Sequence, residues 1–200
     1  MKNILLILVF SFSISCKAQI VPLGIGGFEK FNGAYNKDMD SDFNKFEGIW
    51  EYQQNNTKLI IQLKKVYQYH YQDEKFNYYR DVLVGEYKYE ESNVIIVNTL
   101  PNITTISDAN AWQHNIFGGV MSNSNPPINN GAANERTVVL GLQDPDRPYI
   151  PANMRLKYKI ENGVEKITIH ISPSGAFIEP YENAPSRLRI PNADYTLIKQ

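Results

Sequence analysis

Two runs of alternating residues meet at Asn162-Gly163, and they leave the chain few folds to choose from. Met154, Leu156, Tyr158 and Ile160 alternate with Arg155, Lys157, Lys159 and Glu161; beyond the Gly, Ile167, Ile169 and Ile171 alternate with Lys166, Thr168 and His170. A period of two places successive side chains on opposite faces of a strand. Asn-Gly between such runs makes a two-residue hairpin turn, because both residues accept positive φ. That turn sets Tyr158 opposite Ile167, Leu156 opposite Ile169, Met154 opposite Ile171 and Lys157 opposite Thr168. Every apolar residue of the set then meets an apolar partner, so turn chemistry and hydrophobic pattern agree on one register.

The rest of the body repeats the pattern, and no segment sustains a helical period. Phe46, Gly48, Trp50 and Tyr52 share one face of a first strand. A second runs from about Thr57 to Tyr71. Leu59, Ile61, Leu63, Tyr67, Tyr69 and Tyr71 share its parity, which Lys65 interrupts, so a bulge is expected at Lys65-Val66. A third strand covers about Tyr78 to Glu90, with Gly85 as a bend. Ser92-Asn93 then turns the chain into Val94–Val97. Thr137–Leu142 and Tyr195–Lys199 are further strands, and Ile116–Met121 is another candidate. The expected fold is all-β: a single domain over residues 45–200, built as an antiparallel barrel of about eight strands, with a β-sandwich as the alternative. Residues 101–135, rich in Asn, and 173–193, punctuated by Pro, read as long loops and as the place for a binding surface.

The N-terminus reads as an address. Lys2 precedes an apolar run from Ile4 to Ile14, which matches a secretory signal peptide and is too short for a membrane span. The single cysteine follows at once, in Ser13-Ile14-Ser15-Cys16. This is similar to a bacterial lipoprotein box, with Ser13 where Leu is usual. The resemblance implies a signal peptide over residues 1–15, lipidation of Cys16 and a membrane as partner through that anchor. Ordinary cleavage after Ala18 is the competing reading. Residues 16–44, with several Gly and no period, read as a tether ending in a short capped turn of helix. Asp38, Asp40 and Asp42 alternate as calcium ligands do, but Phe43 stands where a calcium loop needs Gly.

Lys45-Phe46-Glu47-Gly48-Ile49-Trp50 resembles the Gly-x-Trp entry strand of lipocalin-like barrels, where a helical turn precedes the strand and the Trp packs at the closed end. A wider resemblance runs through Cys16-Lys17-Ala18-Gln19, that strand, Gly85-Glu86-Tyr87-Lys88-Tyr89 and Tyr195-Thr196-Leu197-Ile198-Lys199-Gln200. These look like a family of small secreted or lipid-anchored proteins of Gram-negative bacteria known only as a domain of unknown function. The likeness implies export and a small β domain, and brings no catalytic residue; with the Cys16 anchor the expected location is the outer membrane, and a soluble periplasmic or secreted protein is the alternative.

Chemistry is harder to find. The side chains carry 20 basic and 21 acidic groups, a balance that excludes a broadly basic nucleic-acid surface. His70, His114 and His170 have no metal-ligand spacing, so no metal or cofactor is expected. Asp144/Asp146 and Glu179/Glu182 are the carboxylate pairs that invite a hydrolase reading, and a non-enzyme is expected. The excess lies in the 13 Tyr. Tyr faces can stack on sugars or apolar ligands while their hydroxyls orient them, although Tyr also packs well across strands. The expectation is a binding module for a small apolar or sugar-like ligand in the barrel mouth, touched by Tyr69, Tyr71, Tyr79 and Trp112. A structural or interaction protein of the envelope, with a filled barrel, is the alternative.

Overall fold

The computed structural model describes residues 18–123 and 136–200, so Cys16 and the signal sequence lie outside the described residues. The described strands are β1 (Ile20–Pro22), β2 (Ala34–Lys37), β3 (Gly48–Gln54), β4 (Thr57–Gln72), β5 (Asn77–Glu91), β6 (Val94–Asn98), β7 (Ile116–Asn123), β8 (Arg136–Leu142), β9 (Ala152–Glu161), β10 (Val164–Pro173) and β11 (Asp194–Lys199). Eight of them close a barrel in the order β5-β4-β3-β11-β10-β9-β8-β7, with β7 bonded back to β5. Every pairing around the ring is antiparallel. Closure, rather than a sandwich, is how the sheet removes its edges.

The Asn162-Gly163 hairpin has the register its sequence dictates. Tyr158 faces Ile167, Leu156 faces Ile169, Met154 faces Ile171 and Lys157 faces Thr168, with φ of 53° at Asn162 and 77° at Gly163. A helical turn, the 3-10 turn at Asp42–Phe46, precedes the Gly-x-Trp strand, as its likeness implies. Trp50 is fully buried with its indole N–H donated to the Phe46 carbonyl at 2.8 Å. Ser41 makes no side-chain cap for that turn. The Asp38 carboxylate does the capping instead, accepting from the Asp42 and Phe43 amides at 2.8 and 3.0 Å while paired to Lys65 at 2.8 Å.

All eight barrel strands send apolar side chains into one core, from Trp50 on β3 through Leu59, Ile61 and Leu63 on β4 to Leu197 on β11. The lumen is therefore filled. Gly85 is less a bend than a point of contact: a Cβ there would lie 2.4 Å from the Gln62 carbonyl oxygen on β4. Only glycine lets the two backbones approach so closely.

The bulge in β4 falls two residues later than expected, and its extra residue sets the face of the tyrosines beyond it. Pairing with β5 runs unbroken to Val66↔Val82 and resumes at Tyr69↔Arg80, so Tyr67 and Gln68 together oppose Asp81. Gln68 takes φ 53° and its amide is held by the buried Asp81 carboxylate. One extra residue flips the face of everything beyond it. Leu59, Ile61 and Leu63 point into the lumen, whereas Tyr69 and Tyr71 point outward, on the side of Val66 and Val82.

The second edge of β5 is divided among three strands: β2 along Tyr78–Arg80, β7 along Leu83–Gly85 and β6 along Lys88–Glu91. β6 and β7 follow that edge in the same direction, with Asn98 against Lys88 and Ile116 against Gly85. Residues 99–115 are thus an excursion that leaves one strand line and returns to it. β1 and β2 lie within the stretch expected to be a tether. They pair parallel to one another, and β2 adds parallel to β5.

Candidate functional site

The 99–115 excursion folds back over the outer wall of the barrel, on β4 and β5. Thr99 anchors its start, its amide donating to the Tyr87 carbonyl at 2.9 Å. Lys64 on β4 donates to the Ile103 carbonyl at 3.0 Å. Ala111 and Ile106 pack on Val66, Val82 and Val84, a small apolar cluster separate from the lumen. Apolar residues on the outward face of β5 therefore have a cover, which explains why this strand reads apolar on both faces.

Between that cover and the far end of the β4–β5 hairpin lies an open cavity of about 650 Å³. Tyr69, Tyr71, Trp112 and Phe117 supply its aromatic lining, and Asp108 and Gln72 its polar groups. The Tyr69 and Phe117 rings meet edge to face at 5.2 Å, and Tyr71 stacks on Tyr78 at 5.0 Å. Tyr69 is buried, and burial pushes its phenol above the ordinary value, so it remains a protonated hydroxyl at neutral pH. Trp112 is 60% exposed, a large aromatic face left open to water. The volume lies within the usual span for small-molecule sites, about 300–1,000 Å³.

A second recess of about 330 Å³ adjoins the first and shares Trp112 and Phe117 with it. His114 lines it. This histidine is buried, and its Nδ1 lies 2.7 Å from Oε1 of Glu86, itself fully buried on the outward face of β5. Asn115 donates to the other Glu86 oxygen at 2.7 Å. With Nδ1 held against Glu86, the other ring nitrogen, Nε2, is buried with no hydrogen-bond partner among the described residues. No local pattern in the sequence signals this couple: the two residues lie far apart along the chain, and only the excursion brings them together.

Of the residues expected to touch a ligand, Tyr69, Tyr71 and Trp112 come together around the larger cavity, on the outer wall rather than in the barrel mouth. Tyr79 does not join them; it stacks on His70 at 4.5 Å, on the hairpin's other face. The carboxylates are held elsewhere. Asp144 and Asp146 both pair with Arg189. Asp38 pairs with Lys65, Asp40 with Arg136, and Asp42 with Lys45 and Arg136. Among the described residues no three His, Cys, Asp or Glu side chains gather where a metal ion could be held.

Neither the curated proteins nor the solved structures provided a match to the chain. A family pattern does match, over residues 1–200, and on that evidence the chain belongs to the family of unknown function DUF6705.

Proposed function

We propose that this protein is a non-enzymatic binding module that takes a sugar-like ligand on the outer wall of its barrel. The observation that carries the reading is the open cavity framed by Tyr69, Tyr71 and Trp112 on a barrel whose lumen is filled. Exposed aromatic faces stack on the apolar faces of sugar rings, while Asp108, Gln72 and the Tyr69 hydroxyl can receive and donate hydrogen bonds. One carboxylate pair that invites a hydrolase reading, Asp144 and Asp146, is paired with Arg189.

Of the two tryptophans, Trp50 is buried and Trp112 exposed, so ligand at the cavity is visible as a change in Trp112 fluorescence. Titration with a panel of soluble oligosaccharides is expected to find a saturating member. Trp112→Ala is expected to weaken it at least tenfold, about 1.4 kcal/mol, with the thermal midpoint unchanged. A panel that leaves the fluorescence flat at millimolar concentration sinks the sugar reading. The filled lumen favours a second reading, in which the Trp112 loop docks an envelope protein; a flat panel together with a specific co-purifying protein lost in Trp112→Ala selects it.

In the same reading the protein works outside the cytoplasm, held at the outer membrane by acyl chains on Cys16. Each buried methylene contributes about 0.8 kcal/mol, so several chains hold almost permanently. Cys16→Ser is expected to abolish palmitate labelling and release the protein from the membrane fraction. Labelling that persists in Cys16→Ser overturns the anchor.

A further inference from the structure

A small recess of about 140 Å³ opens where the second edge of β5 passes from β2 to β7. Gly24, Gly26 and Phe28 of the segment after β1 line it, with Gly119 of β7, Asn36 of β2 and Arg80 of β5. Arg80 is the residue that asks for an explanation. Its guanidinium is largely removed from water, and desolvation pulls its pKa below the ordinary arginine value. Tyr78 hydrogen-bonds the guanidinium and, with Tyr69, acts in the opposite sense, but both are neutral phenols at neutral pH and supply no counter-charge. Arg80 makes no salt bridge among the described residues, in contrast to Arg136 and Arg189. Its Nε is buried without a hydrogen-bond partner among the described residues.

The nearest carboxylate and amide side chains are engaged elsewhere. Asp81, next in sequence, points to the opposite face of β5, where it accepts from the Tyr35 hydroxyl and from the amides of Asp38 and Gln68. Asn36, beside Arg80 across the β2–β5 pairing, donates its amide to the carbonyls of Val21 and Pro22. Those two carbonyls are thereby occupied. A desolvated cation without a counter-charge is costly, and proteins keep one where an anion completes it. The rigid fork of arginine donors fits carboxylate and phosphate oxygens two at a time. Gly26 leaves open space at the recess: a Cβ there would meet nothing within 4 Å.

We propose that this recess is an anion site, in which Arg80 takes the carboxylate or phosphate group of a small molecule. The site is separate from the aromatic cavity, and its failure would leave the sugar reading untouched.

The test uses inorganic phosphate and acetate as probes on the full chain, against chloride at equal ionic strength. Amide resonances of Gly24, Gly26 and Gly119 are expected to shift saturably with at least one probe, and the thermal midpoint to rise with it. The more effective probe identifies which oxyanion the site prefers. Arg80→Met is expected to abolish both responses, and Arg80→Lys, which keeps the charge without the fork, to weaken them at least tenfold. Gly26→Leu, which sets a large side chain on the recess wall at a position with open space, is expected to weaken the response without lowering the midpoint in chloride, so the question stays answerable if Arg80→Met does not fold. Linear, unsaturating shifts with both probes, or an equal response in Gly26→Leu, overturn the proposal.

Discussion

Arg189→Met is expected to destabilise the fold by about 3–5 kcal/mol at neutral pH, the usual cost of leaving a buried charge without its partner. Asp144 is fully buried, and it accepts from the Arg189 amide at 2.9 Å, from Nε at 2.9 Å and from Nη2 at 2.6 Å. Arg189 also reaches Asp146 and the Ile96 carbonyl. One side chain thus ties the proline-punctuated segment to the β8–β9 connection and to β6. Burial pushes the Asp144 carboxyl up, but the Arg189 hydrogen bonds, the amides of Arg189 and Asp146 and the guanidinium charge outweigh it and hold the carboxyl below its ordinary range.

The pH dependence follows with a definite sign. A carboxyl held low in the native state stabilises fully above its unfolded value, about pH 3.9, and that contribution is lost as pH falls through the lowered native value. Asp38, held low against its own burial by Lys65 and two amides, adds to the same acid limb. In Arg189→Met the burial remains without the guanidinium, so the native carboxyl rises above the unfolded value and the sign reverses. The deficit against wild type is therefore expected to be largest near pH 7 and to shrink towards pH 4. Urea unfolding at the two pH values measures it, and an equal deficit at both would refute the assignment.

Trp50→Ala is expected to cost about as much, roughly 3–5 kcal/mol, by opening a cavity in a filled lumen. The indole is 0% exposed, meets Tyr158 edge to face at 6.4 Å and lies beneath the Lys199 ammonium at 5.4 Å. Its loss also orphans the Phe46 carbonyl, the acceptor that fastens the 3-10 turn to β3. Trp50→Phe separates the two contributions: most of the volume stays, the N–H goes, and about 1–2 kcal/mol should be lost. Denaturant midpoints give both values. A Trp50→Ala deficit below about 1 kcal/mol would show that the barrel collapses around the site instead of keeping a void.

What the sequence made legible was whatever is local. Asn162-Gly163 and its flanks carry their own register, because a two-residue turn leaves no freedom in pairing. The barrel strands followed from alternation. The bulge did not: the tyrosine alternation at 67, 69 and 71 is the same whether the parity switches at Val66 or at Gln68, and the choice is made by Asp81, a residue on the next strand. Reading the tyrosines on the parity of Leu63 put the ligand in the lumen; the switch puts Tyr69 and Tyr71 outside. Trp112 and Tyr69 meet only because the excursion folds back over β5, a non-local event with no periodic signature. β1 and β2 were hidden for another reason. They are short, and their parallel pairing needs no turn signal beside them.

Their placement has a geometric corollary. Ile20, Tyr35, Tyr79 and His70 lie along one rung across β1, β2, β5 and β4. Neighbouring strands are spaced by about 4.8 Å, so the chain enters the sheet roughly 14 Å from the hairpin strand that carries Tyr69 and Tyr71. From Cys16 to Ile20 the backbone can span no more than about 14 Å even when fully drawn out. An acyl group on Cys16 would therefore act as a short leash, not a long one. The barrel would ride close against the lipid headgroups, and the aromatic cavity, a few strand widths from where the chain enters the sheet, would lie nearer the bilayer surface than a long tether would allow.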